Sequence, residues 1–97
     1  MAMPADVYVS EGVLADIAAI ERVLDGDTQA FAPIVNRHQA ALYRYAVSIV
    51  LDHDAAADMV QDAFIRAYTS LASCRDRTRF RAWLFQTLRN RCLDYLK

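Results

Sequence analysis

At 97 residues, 56% of them hydrophobic, the chain can fill one small core but not two, and with only two Gly and two Pro among many Ala, Leu and Arg it points to an all-α fold. The formal net charge of −1 conceals a reversal at Phe64: residues 1–64 hold ten acids and three bases (net −7), and residues 65–97 hold eight bases and two acids (net +6). No apolar run approaches the roughly 18 residues that span a bilayer, and the start lacks the basic-then-apolar order of a signal peptide, so a cytoplasmic protein with no membrane partner is expected. A chain so divided can offer one face to a protein and another to a polyanion, of which nucleic acid is the commonest.

Residues 1–12 carry no sustained period and contain Pro4, Ser10 and Gly12, so they read as a flexible leader ahead of a domain over residues 13–97. Val13, Leu14, Ile17, Ile20 and Leu24 then form a helical stripe that ends at Asp25-Gly26, with the glycine as terminator. Asp27 or Thr28 can cap a second helix with the stripe Phe31, Ile34, Val35, Leu42, Ala46, Ile49 and Val50. Pro33 conflicts with a start at Asp27, because beyond the first turn it forfeits a backbone hydrogen bond at a cost that can reach ~3 kcal/mol. Either the helix starts near residues 30–32 or it kinks there.

Asp54 is the expected cap of a third helix, with Met59, Val60, Ala63, Phe64, Ala67, Tyr68 and Leu71 on one side and Asp58, Gln61, Asp62 and Arg66 on the other. Residues 72–78 have no apolar period and should form an exposed loop. A final helix starting at Thr78 or a neighbour turns Phe80, Trp83, Leu84, Thr87, Leu88, Cys92, Tyr95 and Leu96 inward. It reaches Lys97 without a Gly, Asn or Pro stop, which implies that the natural chain continues. The expected architecture is a compact bundle of three to four helices.

Two cysteines, Cys74 and Cys92, are too few for a disulfide framework and are expected as free thiols. His38 and His53 have no Cys or carboxylate at metal-ligand spacing, and no nucleophile-base pair, carboxylate dyad or Gly-rich phosphate loop occurs. Neither a metal, a cofactor nor catalysis is therefore expected. Phe64, Phe80, Trp83 and Tyr95 fit the apolar stripes as core residues, whereas Phe85 and Tyr68 fall at stripe edges and can be interfacial.

Asp58, Gln61 and Asp62 stand at i, i+3 and i+4, so two carboxylates and an amide share one helical face suited to Arg-rich helices. Downstream, Arg75, Arg77, Arg79 and Arg81 can meet phosphates, Asp76 and Thr78 add hydrogen-bonding groups at the loop tip, and Gln86, Arg89 and Asn90 line a polar strip able to reach base edges.

The segment Asp54-Ala55-Ala56-Ala57-Asp58-Met59-Val60-Gln61-Asp62-Ala63-Phe64-Ile65-Arg66-Ala67-Tyr68 resembles the core-polymerase-binding helix of bacterial sigma factors of the extracytoplasmic-function (ECF) group. The stretch from Phe80 to Leu96, with Phe80-Arg81-Ala82-Trp83-Leu84 at its head, resembles the promoter-reading helix that follows in region 2 of that family. The resemblance covers residues 25–97 and departs from the usual pattern at Ala55 and Ala57, where acids are common, and at Pro33. It implies that Asp58, Gln61, Asp62 and Tyr68 dock on the clamp helices of the largest subunit of core RNA polymerase. It also implies that Arg75, Asp76, Arg77, Thr78, Arg79, Arg81, Gln86, Arg89 and Asn90 recognise and melt the promoter −10 element on its non-template strand. An anti-sigma factor is a further implied partner, and the family's −35-reading domain lies outside these residues. The alternatives left by the residues themselves are a helical protein-interaction module and a DNA-binding regulator without sigma activity. A helix-turn-helix is disfavoured because the last helix lacks the short Gly-containing turn before it.

Overall fold

The computed structural model describes residues 10–97, and most of the expected leader lies outside them. Its last two residues do not behave as a leader. Helix α1 (Glu11–Leu24) already includes Glu11 and Gly12, because the Ser10 hydroxyl accepts from the Val13 amide at 3.2 Å and caps the first turn. At the other end Gly26 sits at φ 108°, where Asp27 N–H can donate to the Arg22 carbonyl and Gly26 N–H to that of Val23. This paired closure is the one a left-handed glycine after the cap residue makes possible.

The buried face of α1 is Asp16, Ala19, Ile20 and Val23 rather than the stripe through Leu14 and Leu24, which are 55% and 40% exposed. The helix is rotated because Asp16 finds cationic and imidazole partners on the next helix, which makes its face the one that can be covered.

A 3₁₀ turn at Thr28–Ala30 leads into α2 (Phe31–Val50). With Phe31 first, Pro33 is the third helical residue, where the amide it lacks would have had no partner within the helix. That resolves the proline conflict in favour of the later start. Neither Asp27 nor Thr28 supplies a side-chain cap; Asp27 instead pairs with Arg22 across the turn. The buried stripe is Phe31, Ile34, His38, Leu42, Ala46 and Val50, so a histidine occupies a core step.

Leu51 ends α2 in the left-handed region, at φ 58° and ψ 29°, and is 82% exposed. Helix α3 (His53–Thr69) follows at once, capped not by Asp54 but by Asp52, whose Oδ1 accepts from the Ala55 amide at 2.9 Å. Asp54 lies in the first turn, where its charge opposes the positive end of the helix dipole. Ala56, Ala63 and Ala67 are fully buried, and such small side chains let α3 lie close to both α2 and α4, its two main neighbours.

The expected open loop is more ordered than its composition suggests. It contains 3₁₀ turns at Leu71–Ser73 and Arg77–Arg79, and Cys74 between them is buried at 5% exposure. Helix α4 (Phe80–Tyr95) begins without a side-chain cap, and Thr78 lies in the turn before it. Phe80, Leu84, Leu88 and Cys92 step down its buried edge at four-residue spacing. Trp83 is only half-buried, and Tyr95 and Leu96 are 47% and 53% exposed. From Leu93 onward every residue is exposed, so the last turn of α4 leaves the core and the inward assignment of Tyr95 and Leu96 fails. The four helices and the absence of strands among the described residues agree with the expected all-α bundle.

Candidate functional site

Helix α3 separates the expected acidic trio. Asp58 and Gln61 are exposed. Asp62 is half-buried and turned toward α4, where its Oδ2 accepts from Arg91 Nε at 3.0 Å. Gln61 instead borders an open cavity of about 670 Å³ between α2 and α3, lined chiefly by apolar side chains, among them Phe31, Val35, Tyr43, Ile65 and Tyr68.

Asp58, Gln61, Ile65 and Tyr68 therefore form one continuous exposed stripe at steps of three and four residues. Ile65 is 55% exposed and Tyr68 39%, and the Tyr68 ring stands edge-on to Phe31 at 5.3 Å, closing one end of the groove. A carboxylate and an amide beside an apolar trough suit an amphipathic helical partner that brings cations at its margin. Periodicity alone did not mark Ile65 or the α2 residues Phe31, Val35 and Tyr43 as groove lining, because an apolar residue on a stripe edge reads as core. The exposed Ile65, one turn after Gln61, was the available signal.

The basic surface runs from Arg75 through the 3₁₀ turn at Arg77–Arg79 onto α4. Asp76 Oδ1 accepts from the Thr78 amide at 3.2 Å and from its hydroxyl, so the two loop-tip residues hold each other. The Cys74 thiol contacts the Asp76 carbonyl oxygen at 3.7 Å beneath them. Arg77 reaches Glu21 on α1 at 3.5 Å, and Gln86 donates to Asn90 at 3.0 Å along the outer face of α4. Arg75, Arg79 and Arg89 are exposed and form no ion pair among the described residues. Arg81 sits with its guanidinium carbon 4.9 Å from the centre of the Phe85 ring. A second, shallower cavity of about 520 Å³ opens beside it, lined by Val13, Thr78, Arg79, Arg81, Ala82 and Phe85.

All nine expected nucleic-acid residues thus lie between residues 75 and 90, and their states differ: among the described residues Arg75, Arg79 and Arg89 form no ion pair, while Asp76, Arg77, Thr78, Arg81, Gln86 and Asn90 already hold partners. Phe85 is half-buried against Tyr45, with ring centres 5.3 Å apart, and so belongs to the rim of this surface.

The four-helix domain thus carries an acid-edged apolar groove on one side and a basic, ordered turn-and-helix on another. The chain belongs to the sigma-70 region 2 family, whose profile matches residues 34–97. It is 37% identical over 83 residues to the ECF RNA polymerase sigma-E factor of Haemophilus influenzae, covering 86% of this chain and 43% of that protein. It is 35% identical over 81 residues to the RNA polymerase sigma-H factor of Pseudomonas aeruginosa, covering 84% of this chain and 42% of that protein. For the ECF RNA polymerase sigma factor SigW of Bacillus subtilis the figures are 32% over 78 residues, 80% and 42%. The chain therefore spans less than half the length of these curated relatives. No solved structure matches it. The likeness to region 2 of the ECF group, read first from the two helical motifs, is borne out.

Proposed function

We propose that this domain is the part of an ECF-type sigma factor that docks on core RNA polymerase and captures the melted promoter −10 element. The observation that carries the docking half is the stripe Asp58, Gln61, Ile65 and Tyr68 alongside the apolar groove, which offers the charge, amide and apolar surface that a clamp helix of the largest polymerase subunit would need. Asp62 contributes less directly, since half of its surface is covered and Arg91 already holds one oxygen.

The strand-binding half rests on the free cations. Opening a duplex costs on the order of 1.4 kcal/mol per base-pair step, and a few kcal/mol more per extruded base. Arg75, Arg79 and Arg89 can recover part of that through phosphate contacts, the Asp76-Thr78 turn provides a rigid edge for a flipped base, and Gln86 and Asn90 can exchange their mutual bond for a base edge. Arg77 and Arg81 add charge from more tethered positions. An anti-sigma factor covering the α2-α3 groove is the further partner this reading carries. The action is that of a binding factor, with no chemical step. No helix among the described residues is long and apolar enough to cross a membrane, which fits work alongside polymerase and DNA.

The test is capture of purified core polymerase by the immobilised chain. Asp58→Arg and Gln61→Ala should weaken capture, the charge reversal by about tenfold or more, with unchanged helical circular dichroism. Capture equal to wild type by both variants would remove the docking role and favour a protein-interaction module of another kind. In parallel, a selection from random single-stranded DNA should return a preferred sequence whose advantage falls in Asp76→Ala or Asn90→Ala.

A further inference from the structure

Three helices meet at a charged cluster that lies behind the basic surface. Asp16 on α1 and His38 on α2 are almost wholly covered, with side-chain exposures of 5% and 4%. Asp16 Oδ1 accepts from Arg37 Nε at 2.8 Å, and its Oδ2 lies 2.7 Å from His38 Nε2. On the other side of the ring, His38 Nδ1 lies 3.0 Å from Arg81 Nη1 on α4. The Phe80 ring packs beside the imidazole at a tilt of 58°, with centres 6.1 Å apart.

The chemistry of the partners fixes the form of the ring. A guanidinium can only donate, so Nδ1 must accept, and the single ring proton sits on Nε2 and is donated to Asp16. Arg81 is thereby held at two points, by the imidazole at one amino group and by the face of Phe85. An exposed arginine without such anchors would lose rotamer freedom on meeting a strand; this one has lost it beforehand.

We infer that His38 is a positioning residue for strand binding: set in its Nε2–H form by Asp16, it holds the Arg81 guanidinium against Phe85 at the rim of the cavity shared with Thr78 and Arg79. The inference rests on the strand-binding role proposed above for the α4 surface. It gives the buried acid and histidine a task beyond packing, and it links α1 to the reading surface through two hydrogen bonds.

Fluorescence anisotropy of the full chain with a fluorescein-labelled single-stranded DNA pool of random sequence tests it. Arg81→Ala should weaken binding about tenfold, and His38→Leu about fivefold. In the Arg81→Ala background, His38→Leu should cause no further loss. Two conservative variants separate the arms of the ring: Asn sets a carbonyl oxygen near the place of Nδ1, and Gln sets an amide nitrogen near the place of Nε2. Affinity should stay within about twofold of wild type in His38→Asn and fall in His38→Gln, whereas the thermal midpoint should be higher in His38→Gln. Affinities that simply follow thermal midpoints across the three His38 variants, or a further loss in the Arg81→Ala background, overturn the inference and leave His38 a structural residue. Wild-type binding by Arg81→Ala, with losses in Arg75→Ala, Arg79→Ala and Arg89→Ala, overturns it too but keeps the strand-binding role. No loss from any of the four arginine variants removes that role itself.

Discussion

Cys74 and Cys92 carry the clearest pH consequence of any single residues. Both are buried, at 5% and 0% exposure, and burial pushes each thiol above its ordinary value of 9.0. At Cys74 the Asp76 carboxylate adds to the rise while Arg77 opposes it, and at Cys92 Arg91 opposes it. The folded chain therefore keeps these protons at a pH where the unfolded chain has released them. Their contribution to stability is complete below about pH 9 and is lost as the pH rises through the raised values. The urea midpoint of the wild type should fall more steeply between about pH 8 and about pH 10 than that of the Cys74→Ala, Cys92→Ala double variant, whatever the starting stability of the latter. Slow reaction with a thiol reagent in the native state, and fast reaction in urea, would accompany it.

At the scale of elements, the caps decide where helices begin. Asp52→Ala should destabilise the domain by about 1 kcal/mol because it leaves the Ala55 amide without its carboxylate, while Asp54→Ala should cost less, losing only a favourable charge near the helix end. Urea denaturation of the two variants orders them directly, and the reverse order would contradict the capping geometry. Those two aspartates also mark how far the sequence could be read. Helix number, the stripes of α2 and α3, and the glycine stop of α1 follow from spacing, because apolar periodicity and left-handed glycine are local. The choice between Asp52 and Asp54 depends on one backbone turn at Leu51, which carries no Gly or Asn to announce it. The buried face of α1 does not follow from apolar spacing, because the partners that bury Asp16 lie 21 and 22 residues away. In the candidate site the motif residues were legible and their engagements were not: Asp62 with Arg91 and Arg77 with Glu21 are contacts between helices distant in sequence.

For the molecule as a whole, the charge reversal becomes a separation of surfaces in space, though less cleanly than the count at Phe64 suggests. Ile65 and Tyr68 lie past the reversal yet border the apolar groove, and Asp62 lies before it yet faces α4. Binding of single-stranded DNA by the basic side should weaken as salt rises, and each of Arg75→Ala, Arg79→Ala and Arg89→Ala should flatten the plot of log affinity against log salt by roughly 0.7. A slope unchanged by all three would mean that the strand lies elsewhere. The Asp62-Arg91 contact, together with the alanine-lined packing of α3 on α4, has a mechanical consequence. The two surfaces are machined on one part, so under the proposed function a partner that grips the outer stripe of α3 should also aim α4, setting the bearing of the strand as the domain is seated.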